Sequence, residues 1–255
     1  MADAAEEVQI HQARGKFAAM AGAYCLETFN DNFFKQAVML LVLAAGRESI
    51  QGVVGIVFTV PFLLFAAPAG WLADRCAKRF VVIGCKGLEV VAALVGLLGI
   101  VMGNLWLMIA MVGLMGAQSA FFSPALNGSI PELYPESYVT KANALLRMLV
   151  TIGILLGISL SGFILDVPGA PLLGTTRGPA LVGLVSVGVT LVGFLVSLGC
   201  QSRPAADPGR PFPWSGPLDT ARELVEVWKD RQLGRILLAD VFIWSVGVFQ
   251  LLVIN

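Results

Sequence analysis

Apolar residues gather into long runs separated by short polar breaks. Runs of about 20 apolar residues are long enough to cross the hydrocarbon layer of a bilayer as a helix. Such runs cover residues 17–45, 50–73, 80–102, 105–126, 138–165 and 179–200, and a seventh covers 233–254. The breaks "AGRES", "MGNL", "SIPELYPES" and "VPGAPLLGTTRGP" read as short turns. Residues 201–232 differ. A Pro-rich stretch, "RPAADPGRPFPWSGP", precedes "LDTARELVEVWKDRQLG", where Leu218, Leu224, Val225 and Trp228 fall on one helical face and charges on the others. That pattern suits an amphipathic helix at a membrane surface. The chain is expected to be all-α and polytopic: a cytoplasmic tail over 1–16, a six-helix transmembrane bundle over 17–200, a cytoplasmic linker over 201–232 and a seventh transmembrane helix over 233–255.

Composition agrees with this pattern. Charged residues make up 13% and hydrophobic ones 57%, against about 25% charged in soluble domains. The net charge is zero, which points to no nucleic-acid partner. His11 is the single histidine and sits in the polar tail, which argues against His-based catalysis and His-ligated metal. No metal or cofactor is expected. Cys25, Cys76, Cys85 and Cys200 lack CxxC or CxxH spacing and read as small apolar fillers. No H-x-x-x-x-D motif or P-loop occurs, so no enzyme is expected within these residues. The acidic N-terminus does not resemble a secretory signal peptide.

With the N-terminus in the cytoplasm, 14 of the 17 lysines and arginines fall on that side, as the positive-inside rule requires. Arg14 and Lys16 belong to the tail. Arg75, Lys78, Arg79 and Lys86 flank the second-to-third connection, and Lys141 and Arg147 the fourth-to-fifth. Arg203, Arg210, Arg222, Lys229, Arg231 and Arg235 belong to the linker and its edge. Arg47 and Arg177 fall on the far side, and Lys35 lies within a span.

The stretch "TFNDNFFKQA" (28–37) interrupts the first run with two asparagines, an acid and a base. Asp31 falls near the bilayer midplane. Glu27, Asp31 and Lys35 share one helical face, along which Asp31 and Lys35 are spaced to pair. A charge at the centre of a span costs about 2.5–3.5 kcal/mol on the insertion scale, so this face is expected to point inward, towards a substrate path. Two other readings stay open. Asn30 or Asp31 caps a shorter helix starting at Phe33, or Asp31–Lys35 is a purely structural ion pair.

After the second span the chain reads "GWLADRCAKRF" (70–80). This resembles the G-x-x-x-D-R-x-x-[KR]-[KR] loop of the major facilitator superfamily, with Ala77 where a glycine is usual. The resemblance marks Gly70, Asp74, Arg75, Lys78 and Arg79 as a latch loop. Gly70 would permit close helix approach, and Asp74 would cap a neighbouring helix or pair with Arg75 or Arg79. "FNDNFFKQA", "FFSPALNGSIPEL" (121–133) and "KANALL" (141–146) further resemble the lysophospholipid transporter branch, which includes members fused to an acyltransferase and an acyl carrier protein ligase. The seventh span, with Trp244, Gly247 and Gln250, is similar to the fused members.

The resemblance implies the N-terminal half of such a transporter: a six-helix bundle plus a seventh helix in a bacterial inner membrane. It implies lysophospholipid, chiefly lysophosphatidylethanolamine, as substrate, moved by alternating access. It implies membrane lipids and a second six-helix half in cis as partners, the chain being a fragment, or else a half-transporter that dimerises. It also implies Asn30, Asp31, Asn32 and Asn143 as site residues, beside Glu27 and Lys35. Leu126 stands where the branch has a lysine, and Arg147 where an acid often follows "KAN". A headgroup cation is therefore supplied by Arg147 or by Lys35. Phe29, Phe33, Phe34, Phe121 and Phe122 either line an acyl wall or pack the core. Gly153 and Gly157 are expected to be close-packing surfaces. Alternatives are a facilitator of another small amphiphile or drug, the transport domain of a larger acyltransferase fusion, and a membrane scaffold.

Overall fold

The computed structural model describes residues 2–200 and 204–254, with side chains except at 2–5, 217, 219–221, 223, 224, 244, 248 and 250–254. Arg203 and the side chains of Leu224, Trp244 and Gln250 lie outside the described residues. The described residues form nine helices: α1 Ala2–Ala44, α2 Ser49–Arg75, α3 Lys78–Val101, α4 Leu105–Asn127, α5 Ile130–Leu133, α6 Glu136–Leu165, α7 Arg177–Ser197, α8 Gly216–Lys229 and α9 Arg231–Ile254. They fall into two compact units, Met1–Phe212 and Pro213–Asn255.

Two elements differ from the sequence reading. The stretch 1–16, expected as a tail, is helical from Ala2 and continuous with the first span. Its residues, "ADAAEEVQIHQARGK", are mostly good helix formers, with one glycine and no proline to stop the helix. The break "SIPELYPES" holds a single helical turn, α5, with Pro131 in its first turn, where a missing N–H costs nothing.

Among the described residues, five helical stretches are long and apolar enough to cross a membrane: Ser49–Arg75, Lys78–Val101, Leu105–Leu133, Glu136–Leu165 and Arg177–Ser197. The chain is a multi-pass membrane protein. The 43-residue α1 is about 65 Å long at 1.5 Å per residue and is not among the five, because the polar residues around Asp31 lower its hydropathy. The bundle compensates by burying Glu27, Asn30 and Asp31 between helices.

α1 packs chiefly on α6 and α7, α3 on α4 and α7, and α2 on α4. Small residues set these contacts. A Cβ placed on Gly153 would lie 2.7 Å from the Cys25 carbonyl oxygen, and one on Gly157 would lie 2.4 Å from that of Phe29. Successive turns of α6 thus meet successive turns of α1 in the same order, so the two helices run parallel. Gly116 on α4 approaches α2 as closely: a Cβ there would fall 2.2 Å from the Phe58 carbonyl oxygen. Without water to drive apolar association, such backbone proximity is a main source of helix affinity in a bilayer. Phe33, Phe34 and Phe122 are fully buried, Phe29 stacks on Phe33 and Phe121 packs on Phe65. Phe33, Phe34 and Phe122 fill the bundle, while Phe29 and Phe121 are half-buried.

In the second unit, Asp230 caps α9, its carboxylate accepting from the amides of Gln232 at 2.8 Å and Leu233 at 3.2 Å. On α8, Leu218, Val225 and Trp228 are exposed.

Candidate functional site: a buried polar network with an open edge

Four helices bring polar side chains into one chain of hydrogen bonds inside the first unit. On α3, Lys86 Nζ donates to Glu89 Oε2 at 2.7 Å and lies 3.6 Å from Glu27 Oε2 of α1. Asn30 of α1 donates to Glu89 Oε1 at 3.4 Å and accepts from the Ser186 hydroxyl of α7 at 2.7 Å. Gln118 of α4 donates to Glu27 Oε1 at 3.2 Å and to Ser119 Oγ at 2.8 Å. Ser119 in turn donates to Asp31 Oδ2 at 2.7 Å. Every member is buried.

Two carboxyl groups, Glu27 and Glu89, thus flank one ammonium, and a third, Asp31, joins the same network through Ser119. Glu27 Oε2, Asp31 Oδ1 and Gln118 Oε1 have no hydrogen-bond partner. A buried charge is tolerated only when paired and hydrogen-bonded, and here Lys86 supplies the pairing. It also lies 4.9 Å over the Phe122 ring. The network ties α1, α3, α4 and α7 at one level.

α1 also offers an edge that the bundle does not close. Asn32 and Lys35 are half-buried. Lys35 Nζ donates to Asn32 Oδ1 at 3.1 Å and sits 4.3 Å over the Phe58 ring of α2, while Asn32 Nδ2 donates to the Thr28 carbonyl at 2.7 Å. Here are a cation and an amide in mid-span with part of their surface free.

The sequence-derived residues therefore separate. Glu27, Asn30 and Asp31 enter the closed network, and Asn32 and Lys35 form the edge. The expected Asp31–Lys35 pair does not form: the ion pairs among the described residues join Lys86 to Glu27 and Glu89, Lys78 to Glu132 and Arg210 to Asp74. Four residues advance a helix by slightly more than one turn, so Asp31 is aimed at α4 while the longer Lys35 swings to α2. The reading of 28–37 as a helix break is overturned as well, since α1 is unbroken there. Asn143 and Arg147 are exposed on α6, apart from both groups.

Lys86, Glu89, Gln118, Ser119 and Ser186 were not recognised as site residues from the sequence. Lys86, counted there as a cytoplasmic edge charge, is instead fully buried in α3. The signal that would have found it is the one that marked α1: a base and an acid three residues apart within an apolar run.

The latch-loop residues hold other contacts than expected. Asp74 pairs with Arg210 rather than with Arg75 or Arg79, and its carbonyl accepts from the Asp207 amide at 2.9 Å. The Arg210 carbonyl accepts from Trp71 Nε1 at 2.9 Å and from Arg75 at 3.3 Å. Arg79 donates to the Leu198 carbonyl at 2.9 Å. Lys78 binds the Gly128 carbonyl at 3.0 Å and pairs with Glu132. A Cβ on Gly70 would meet nothing within 4 Å, so no close approach among the described residues depends on it. The loop ties the ends of α2 and α3 to the α4–α5 turn, the end of α7 and the segment 207–210.

A family model described as the Major Facilitator Superfamily matches residues 17–254. The chain belongs to the major facilitator superfamily. Within this superfamily, the chain is 28% identical over 239 residues to the lysophospholipid transporter LplT of Cronobacter sakazakii, covering 92% of this chain and 56% of that protein. It is also 28% identical to LplT of Yersinia pestis over 235 residues, 90% of this chain and 54% of that one, with the same values for Yersinia pseudotuberculosis. The chain spans about half the length of the curated relatives it matches.

Solved structures share the fold. A structure described for substrate recognition in proton dependent oligopeptide transporters superposes with a TM-score of 0.64 at 17% identity, over 94% of this chain and 54% of that one. Tetrameric PepTSo2 gives 0.62 at 18%, over 93% and 54%. At these identities the likeness is one of fold.

Proposed function

We propose that this chain takes part in moving lysophospholipid, of the lysophosphatidylethanolamine kind, across a bacterial inner membrane by alternating access. The observation that carries the reading is the half-open edge of Asn32 and Lys35 in mid-span, in a chain similar to LplT over nine-tenths of its length. A lysophospholipid has a phosphate-bearing head and one acyl chain. Its phosphate suits Lys35, with Asn32 as a neutral hydrogen-bonding partner. The buried network behind them fixes α1 against α3, α4 and α7, so that the edge keeps its position while helices rock. Arg147 and Asn143 present further polar groups on α6, which runs parallel to α1. The latch loop, through Asp74, Arg75, Lys78 and Arg79, holds the cytoplasmic ends of the helices. A second six-helix bundle in cis completes the path, membrane lipids surround it, and the N-terminus lies in the cytoplasm, as the distribution of lysines and arginines favours.

The test is reconstitution in phosphatidylcholine vesicles with labelled lysophosphatidylethanolamine, following its protection from extraction by albumin. The expected result is saturable, protein-dependent movement, competed by unlabelled lysolipid and not by diacyl lipid or dipeptide. Absence of movement, or uptake of dipeptide in its place, would overturn the reading.

A further inference from the structure

At the far end of α1 from the latch loop, the first unit holds a cavity of about 670 Å3 that neither the network nor its edge uses. Leu40 and Leu41 of α1, Leu165 of α6 and Pro179 of α7 form apolar wall, and Asp166 and Arg177 line the same cavity. A smaller cavity of about 340 Å3 shares Leu41, Thr176 and Pro179 with it and adds Arg47. Arg47 and Arg177 are the two cations that the sequence assigns to this side of the membrane.

Three features point to a ligand. First, Asp166 and Arg177 are exposed and line one cavity, yet they are not paired with each other, and neither side chain is in an ion pair among the described residues. Second, both stand against the helix dipoles. Asp166 caps the C-terminus of α6 and Arg177 is the first residue of α7, where a cation and an anion respectively would be stabilising. Local stability would reverse the two charges. Third, Gly169, at φ +146°, leaves the Arg177 side chain its place: a Cβ there would fall 2.5 Å from a guanidinium nitrogen.

We infer that the cavity ringed by Asp166, Arg177 and the apolar ends of α1, α6 and α7 is a binding site for a zwitterionic phospholipid headgroup, loading a single-chain lipid at the outer end of the bundle. Arg177 takes the phosphate in a charge-assisted, forked contact, and Asp166 takes the ammonium. The acyl chain leaves along Leu40, Leu41 and Leu165 into the surrounding lipid. Helix ends of spanning length lie at the depth where headgroups sit, and the volume is in the range of small-molecule sites. A bare phosphate would meet Asp166 as well as Arg177, so the two opposite charges favour the zwitterion. The inference rests on the proposed lysolipid function but is tested by binding alone.

The experiment uses the protein in maltoside micelles with a photoactivatable lysophosphatidylethanolamine, mapping crosslinks by mass spectrometry. Crosslinks within 165–179 are expected, competed by lysophosphatidylethanolamine and not by monoacylglycerol or inorganic phosphate. Arg177→Gln should weaken that competition about tenfold, the loss of one strong charged contact. It should weaken lysophosphatidic acid equally. Asp166→Asn should weaken lysophosphatidylethanolamine and spare lysophosphatidic acid, which has no ammonium. Crosslinks falling elsewhere, equal competition by monoacylglycerol or phosphate, or binding unmoved in both variants would overturn the site. The wild-type map decides the first two outcomes even where a variant misfolds. A protein that binds here without translocating lipid refutes the transport reading and leaves this site standing, and one that translocates without these crosslinks does the reverse.

Discussion

The polar network and the Asn32–Lys35 edge use the same residue types on the same helix, within nine positions of each other, yet they differ in what their partners leave free. Glu27, Asn30 and Asp31 meet α3, α4 and α7 and are enclosed among Lys86, Glu89, Gln118, Ser119 and Ser186, with Glu27 Oε2 and Asp31 Oδ1 left without a hydrogen bond inside the bundle. Lys35 meets an aromatic face and one amide oxygen, which leaves ammonium protons for something else. A charge in a span is costly wherever it lies. Whether it can meet a ligand depends on whether the neighbouring helices enclose it.

The strongest way to break the comparison is to remove the network's one cation. Lys86→Met leaves Glu27 and Glu89 buried without their counter-charge, a loss of about 3–5 kcal/mol. Thermal unfolding in micelles should fall sharply, and adding Glu89→Gln should recover part of it. An unchanged melting temperature would mean that the network is not closed as described. Gly157→Leu should come next, at about 1–3 kcal/mol, because a side chain there collides with the Phe29 carbonyl and prises α6 from α1. Ser186→Ala takes the hydroxyl donor from Asn30 Oδ1 and should cost about 1 kcal/mol. Smallest of the series is Asp74→Asn. Asp74 and Arg210 are 37% and 51% exposed, so their pair should contribute less than about 1 kcal/mol, and less in high salt.

Much of this architecture could be read along the chain. Spans follow from unbroken apolar length, and Gly153 and Gly157 read as a close-packing surface, whose partner, α1, the structure supplies. Residues 28–37 stood out because a charge in grease is conspicuous. The partners were harder to see, for a physical reason: Ser119 and Ser186 cost little to bury and carry no sequence signal, while Asp31 is bound by a residue 88 positions away. Spacing along one helix gave Asp31 and Lys35 a common face but could not say which neighbouring helix each would meet. The latch loop shows the same limit, since Asp74 found Arg210, 136 residues on, rather than the arginines beside it. The Lys86–Glu89 pair lies near the basic second-to-third connection, where its lysine reads as one more flanking charge.

The central claim is that the open edge, and not the closed network, meets the lipid head. The measurement that tests it most directly is the KM for lysophosphatidylethanolamine movement into vesicles by Lys35→Gln, taken beside its melting temperature. The account predicts a KM raised about tenfold, the scale of one lost charge-assisted contact, with the melting temperature held. A Lys35→Gln protein with wild-type KM and a lowered melting temperature would contradict it, making Lys35 one more structural charge.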